Sequence, residues 1–68
     1  MQLIVHIPNQ LVEEFNFEAE HYSDFQEREI YFIQEPKRYV TAFHCTVESK
    51  VEQRIVDGFV DDFLQRNC

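Results

Sequence analysis

The sequence predicts an α+β fold, in which a small antiparallel sheet of three to four strands carries one C-terminal helix packed on one face. Three patterns support this class: an alternating apolar segment near the start, two segments rich in aromatic and β-branched residues around a Pro-containing turn, and an amphipathic pattern at the end. A length of 68 residues predicts a single domain, residues 1–68.

The first strand is predicted from Leu3, Val5 and Ile7, which occupy every second position and therefore share one face. Pro8-Asn9 ends it. The next segment allows two interpretations. Asn9 is a helix-capping residue type, which predicts a short helix through Phe15. From Glu14 to His21, however, strict alternation predicts a half-buried strand with a carboxylate face, followed by a turn at Ser23-Asp24.

A hairpin is predicted from the segments Glu29–Gln34 and Tyr39–Val47. The tetrad Glu35-Pro36-Lys37-Arg38 joins them, and proline at its second position suits a type I turn. Pairing about Pro36-Lys37 would place Glu29 opposite His44. One hairpin face, which the helix is expected to cover, carries Ile30, Phe32, Phe43, Cys45 and Val47.

The C-terminal helix is predicted to begin at Ser49, because Glu52 three residues later completes a capping-box pattern. An apolar stripe for the sheet follows at helical spacing. Its members are Val51, Ile55, Phe59 and Phe63, with Val56, Val60 and Leu64 in a second stripe beside it. Gly58, the only glycine, is expected inside this helix, either to permit close backbone approach or as a tolerated residue.

Apolar surface is expected to remain after the helix has covered one sheet face, because the other face is also apolar and no second long helix is predicted to cover it. Monomeric domains rarely leave large apolar patches in water, so this surplus predicts a homodimer or a partner interface, unless the N-terminal segment folds back over it. The residues expected in such an oligomer interface are Tyr31, Ile33, Val40, Ala42, Val56, Val60 and Leu64.

The net charge of −7 lies entirely in the first half of the chain. Residues 1–36 hold eight carboxylates against the single base Arg28, whereas residues 37–68 hold five acids and five bases. A field of one sign favours a basic protein surface as the partner and argues against direct nucleic-acid binding. The residues expected to bind this partner are Glu14, Glu18, Glu20, Asp24, Glu27 and Glu29.

No catalytic, cofactor or metal site is expected. A single glycine excludes a phosphate-cradling loop. His44 and Cys45 are adjacent on a predicted strand, so their side chains point to opposite faces and cannot readily share a metal. Cys45 is expected to be a small core residue. His6 and His21 have no spacing typical of a zinc site.

A cytoplasmic location is expected, without membrane association. Cys45 and Cys68 do not make a disulfide framework, no secretory leader is recognisable, and no apolar run approaches the ~20 residues that span a bilayer. Cys68 is expected to be exposed.

The sequence therefore predicts a small acidic binding or inhibitor protein that is not an enzyme. One form of this hypothesis is a nucleic-acid mimic, in the style of phage and mobile-element inhibitors, that blocks a nucleic-acid-binding protein. In that form Glu14, Glu18 and Glu20 lie on one strand face, where alternate residues stand ~6.6 Å apart, and imitate phosphates. The alternative is a homo-oligomeric structural or adaptor protein acting through its apolar surface, with the acidity serving solubility. Salt should weaken the first kind of contact and preserve the second.

Overall fold

Three antiparallel strands form one sheet in a computed structural model that describes residues 1–67. They are β1 (Gln2–Pro8), β2 (Ile33–Pro36) and β3 (Val40–Thr46), arranged in the order β1-β3-β2. The central position of β3 explains why it is the most buried strand. The α+β class and the strand number are confirmed.

Three helices accompany the sheet: α1 (Val12–Glu20), α2 (Ser23–Glu27) and α3 (Lys50–Arg66). Their buried residues share one core with the sheet face that carries Phe43. Phe15 of α1 is central to that core, since its ring centroid lies 4.6 Å from that of Phe43 and 5.3 Å from that of Phe63. Within residues 1–67, no helix is both long and apolar enough to cross a membrane.

The strand predicted from Glu14 to His21 is wrong, because this segment forms α1 and its C-terminal turn. Val12, Phe15 and Ala19 follow helical spacing and pack into or against the core. Glutamate and alanine also favour helices, and α1 holds four glutamates. Phe17 fitted the alternating pattern but lies on the outer side of the helix, where 64% of it is exposed.

Asn9 does not cap α1, because the cap position is Leu11 and has no side-chain hydrogen bond. Asn9 instead lies in a 3-10 turn, Asn9–Leu11, and holds the β2–β3 turn. Its Nδ2 donates to the carbonyls of Lys37 and Arg38 at 3.0 and 3.1 Å, and its Oδ1 accepts from Thr41 Oγ1 at 2.8 Å. The turn predicted at Ser23-Asp24 is the beginning of α2.

The β2–β3 hairpin exists, but its register differs from the predicted one. Pro36 pairs with Thr41 and Ile33 pairs with His44, so the turn lies two residues later than expected. The predicted pairing of Glu29 with His44 is therefore wrong. His44 Nε2 donates instead to Glu35 Oε1 at 3.1 Å. The shift is an even number of residues, so the paired residues keep their predicted faces. The predicted strand Glu29–Gln34 is wrong at its start, because β2 begins at Ile33 and residues 29–32 lie outside the sheet.

The start of α3 is confirmed, since Ser49 Oγ accepts from the backbone N–H of Glu52 at 3.2 Å. Its buried stripe is rotated relative to the prediction. Val56, Phe59, Val60 and Phe63 are the buried residues of this helix, whereas Val51 is 56% exposed.

The expected second stripe is thus not spare surface. Val56 and Val60 are buried core residues and Leu64 packs against the core, so the expectation that these three form a free oligomer interface is wrong.

The outer face of the sheet, on the side away from Phe43, shares no residue with the core cluster that the helices cover. Strand pairing places Ile4, Ala42 and His44 on this face with Ile33. Ile4 and Ile33 are 53% and 72% exposed, whereas Ala42 is buried and Val40 half-buried. The sequence predicted exposed apolar surface on this face, and Ile4 and Ile33 provide it, but the expectation that Ala42 contributes to an interface is wrong because it is buried.

Candidate functional site

Phe17 is an exposed aromatic side chain on the outer side of α1, next to several carboxylates. Glu13, Glu14 and Glu18 line a depression of about 370 Å³ with it. Their positions follow from the helix, because residues three and four apart are neighbours on its surface. We call these four residues the acidic Phe17 patch.

The patch lies within a segment that has no Lys or Arg. Residues 12–27, which span α1 and α2, contain six carboxylates and no base. Glu13 and Glu14 are in the first turn of α1, where their charges also stabilise the positive end of the helix dipole. The negative potential here therefore comes from one continuous stretch of chain and serves the local fold as well.

Glu18 is bound by a cation from α3. Arg66 Nη2 lies 2.6 Å from Glu18 Oε1, and Arg66 Nε lies 2.8 Å from Asp62 Oδ2. The hydrogen bonds that Arg66 donates to Glu18 and Asp62 raise its pKa, so it stays charged at every accessible pH. Arg66 is shared between Glu18 and Asp62, so it offsets part of the charge of Glu18. Among the described residues, Glu13 and Glu14 have no cation within ion-pair distance, so they are the carboxylates of the patch that can bind a partner.

His21 supports the exposed ring of Phe17. The two ring centroids are 4.5 Å apart with an interplanar angle of 31°. His21 Nδ1–H donates to the Phe17 carbonyl at 2.8 Å, because a carbonyl oxygen can only accept. The His21 ring therefore favours one orientation of the Phe17 ring before a partner binds, which reduces the entropy lost on binding.

The six predicted partner-binding carboxylates do not form one row. Glu14 and Glu18 belong to the patch, but Glu20 faces a cavity on the β2 side with Asn16 and Gln34. Asp24 and Glu27 lie on α2. The remaining one, Glu29, lines a cavity of about 230 Å³ beside Gln2 and His44.

Two residues of the patch, Glu13 and Phe17, were not predicted from the sequence. In the predicted strand, Phe17 alternates with the carboxylates and so falls on the opposite, half-buried face, and Glu13 precedes the first residue of that strand. Helical spacing was the available signal, since Phe17 stands about 200° from Phe15 around a helix and cannot share its buried side.

A groove of about 480 Å³ runs between α1 and α3 beside the patch. Phe17 and Glu18 belong to both features. Ile55, Gly58 and Phe59 line the groove on the α3 side. The Glu18–Arg66 pair lies at one end, and Arg54, twelve residues earlier on α3, lies ~18 Å away along the helix.

Gly58 is exposed in this groove. A Cβ atom added to Gly58 would meet no heavy atom within 4 Å, so packing within the monomer does not require glycine here. Glycine inside a helix costs about 1 kcal/mol relative to alanine. Gly58 therefore does not stabilise the fold, although it keeps this part of the groove open.

The ionisable groups outside the patch suggest no further site. Burial, and secondarily the charge of Asp57, raises the pKa of the Cys45 thiol, which keeps it protonated and unreactive. Cys45 is a buried free thiol, as expected, while Cys68 lies outside the described residues. Across residues 1–67, no group of three or more His, Cys, Asp or Glu side chains is placed to hold a metal ion.

A scan against protein-family models found no match, and searches of curated proteins and of solved structures found no significant similarity.

Proposed function

We propose that this protein is a small, non-catalytic binding protein that docks a basic surface of a partner protein through the acidic Phe17 patch. The observation that carries the proposal is the exposed, pre-oriented Phe17 ring among carboxylates on a helix without Lys or Arg. Cytoplasmic location is part of the proposal, supported by the free thiol of Cys45.

This arrangement suits binding because interface energy concentrates in a few buried aromatic anchors surrounded by polar residues. Phe17 would pack against an apolar surface of the partner, while Glu13 and Glu14 would pair with Lys or Arg at the border of that surface. Charges at the border of an interface accelerate association and favour partners of opposite sign. Phe17, Glu13 and Glu14 together indicate a partner with an apolar surface bordered by cations.

An inhibitory role is one form of this proposal. If the basic surface is the groove of a nucleic-acid-binding protein, α1 and α2 would occupy it in place of phosphates. The strand row of evenly spaced carboxylates does not exist, so the imitation would be of charge density rather than of phosphate spacing. Competition between this protein and DNA or RNA for the captured partner tests the inhibitory form.

The experiment is affinity capture from a lysate of the source cells with three baits. Wild type is compared with Glu13→Gln/Glu14→Gln and with a matched control, Asp57→Asn/Asp61→Asn. Both double variants remove two charges, but Asp57 and Asp61 are exposed on α3 and do not line the patch. We expect a basic protein to be captured by wild type and by the control but not by the patch variant. Equal capture by all three baits would contradict the proposal.

A second candidate function, self-association through the outer sheet face, is favoured by the exposed Ile4 and Ile33. Of residues 1–67, Glu35 is the only carboxylate that strand pairing places on this face, and it accepts a hydrogen bond from His44. Charge repulsion between two acidic copies would be weakest there.

This candidate predicts a dimer in sedimentation at high micromolar concentration under reducing conditions. Ile33→Glu should give a monomer, while Val51→Glu, on exposed α3 surface, should leave the dimer intact. A wild-type monomer would eliminate the candidate.

A further inference from the structure

The groove between α1 and α3 is distinct from the acidic Phe17 patch, although the two share Phe17 and Glu18. Gly58 is its least explained residue, since an added Cβ would touch nothing and alanine would suit the helix better. Because glycine has no side chain, the backbone of a bound partner can approach α3 more closely at Gly58 than at a residue with a Cβ atom.

The length of the groove suits a short helix. From Arg54 to Arg66, α3 rises ~18 Å, which corresponds to about three turns of an α-helix lying alongside it. Apolar contacts are available on both sides, from Phe17 on α1 and from Ile55 and Phe59 on α3. Amphipathic helices bind such grooves through anchors at positions i, i+4 and i+7.

The charges around the groove indicate the polar side of such a helix. The carboxylates that line the groove, Glu18 and Asp62, are balanced by Arg54 and Arg66. Glu13 and Glu14 line the adjoining depression that shares Phe17 with the groove, and they are not paired with cations among residues 1–67. They would face the flank of an occupant, and they favour Lys or Arg there.

The two ends of the groove also differ in charge. Arg54 has no carboxylate within ion-pair distance in the described chain, whereas Arg66 at the other end is held by Glu18 and Asp62. A helix carries partial negative charge at its C-terminus, so its C-terminal end would lie at Arg54.

We propose that this groove binds an amphipathic α-helix of the partner, with its apolar side over Gly58 and its basic flank against Glu13 and Glu14. The inference rests on the proposed function and specifies the element that the partner inserts. It also assigns Gly58 to binding rather than to folding.

The test uses a fluorescent peptide of about 18 residues of Leu and Lys patterned as an amphipathic helix. A scrambled peptide of the same composition reports purely electrostatic binding. Anisotropy titrations compare wild type with Gly58→Leu, which fills the groove, and with Gln10→Leu, an exposed control position outside it. We expect Gly58→Leu to weaken binding of the patterned peptide by at least about tenfold, with no change for Gln10→Leu or for the scrambled peptide.

Gly58→Ala separates binding from folding. It should raise the melting temperature by about 4–8 °C, because alanine favours the helix and meets no clash. It should nevertheless weaken binding of the patterned peptide. In wild type, the amide resonance of Gly58, the only glycine, should shift on titration with that peptide.

Unchanged peptide affinity in Gly58→Leu, or an unshifted Gly58 amide, would overturn the groove inference. If the charge variant Glu13→Gln/Glu14→Gln still lost capture of the cellular partner in that case, the proposed function would stand and only the inserted helix would be wrong. A patterned peptide that binds no better than the scrambled one would also overturn the inference.

Discussion

Phe15 and Phe17 are the same residue type two positions apart, yet their environments are opposite. Phe15 has no exposed surface and lies within 5.6 Å, between ring centroids, of Phe32, Phe43, Phe59 and Phe63. Phe17 is 64% exposed and stacks on His21. The helical turn of α1 accounts for the difference, and it separates a residue needed for folding from one available for binding.

Truncating each ring should therefore have different consequences. Phe15→Ala should lower the free energy of unfolding by ~3–5 kcal/mol, enough to unfold much of a domain this small. Phe17→Ala should change it by less than about 0.5 kcal/mol, since surface substitutions usually do. Urea denaturation followed by circular dichroism measures both. A loss of stability in Phe17→Ala comparable to that in Phe15→Ala would contradict the assignment of Phe17 to the surface.

The C-terminal end of α2 has a backbone conformation that composition does not predict. Glu29 has a positive φ of 56°, a conformation usually occupied by glycine after a helix. Ile30 N–H donates to the Phe25 carbonyl at 2.9 Å and Glu29 N–H to the Gln26 carbonyl at 3.3 Å. These two bonds form a Schellman motif that ends α2 and directs Ile30 into the core.

Glu29→Gly should accordingly stabilise the protein by about 1 kcal/mol, because glycine adopts this conformation without steric cost. Glu27→Gly, inside α2, should destabilise it and serves as the control for loss of a carboxylate. Thermal melting of the two variants gives the comparison. A lower melting temperature for Glu29→Gly would show that the Glu29 side chain contributes contacts that outweigh the backbone preference.

Elements with a single dominant periodicity were predictable from the sequence. β1, β3 and α3 fall where alternation or helical spacing indicates them, and the Ser49 cap marks the start of α3. The segment that became α1 satisfied both periodicities between Phe15 and His21. Only packing of Phe15 against Phe43 and Phe63 decides between them, and that contact joins residues distant in sequence.

The candidate site was only partly predictable for the same reason. The acidic stretch and its sign are evident from composition, so the class of partner could be inferred. Which carboxylates act together depends on the conformation of the backbone, and the strand interpretation grouped Glu20 with Glu14 and Glu18. The contact from Arg66 to Glu18 joins residues 48 positions apart, which no local pattern indicates.

At the scale of the whole molecule, the fold places the acidic Phe17 patch and the exposed isoleucines of the sheet on different surfaces. The helical side carries the acidic Phe17 patch and the neighbouring groove. The outer sheet face carries exposed Ile4 and Ile33, and its strands hold the single carboxylate Glu35. A basic partner and a second copy of the chain would therefore bind on different surfaces without competing.

The most direct test of the proposed function is the salt dependence of affinity for the captured basic partner. Dissociation constants are measured at low and moderate salt for wild type, Glu13→Gln/Glu14→Gln and Asp57→Asn/Asp61→Asn, after melting curves confirm that all three are folded. We expect wild type and the Asp variant to bind more weakly as salt rises, because ions screen the carboxylate–cation pairs. The patch variant should bind more weakly at low salt and show a shallower dependence. Identical affinities and salt slopes for all three proteins would show that the acidic Phe17 patch is only a solvated helix surface.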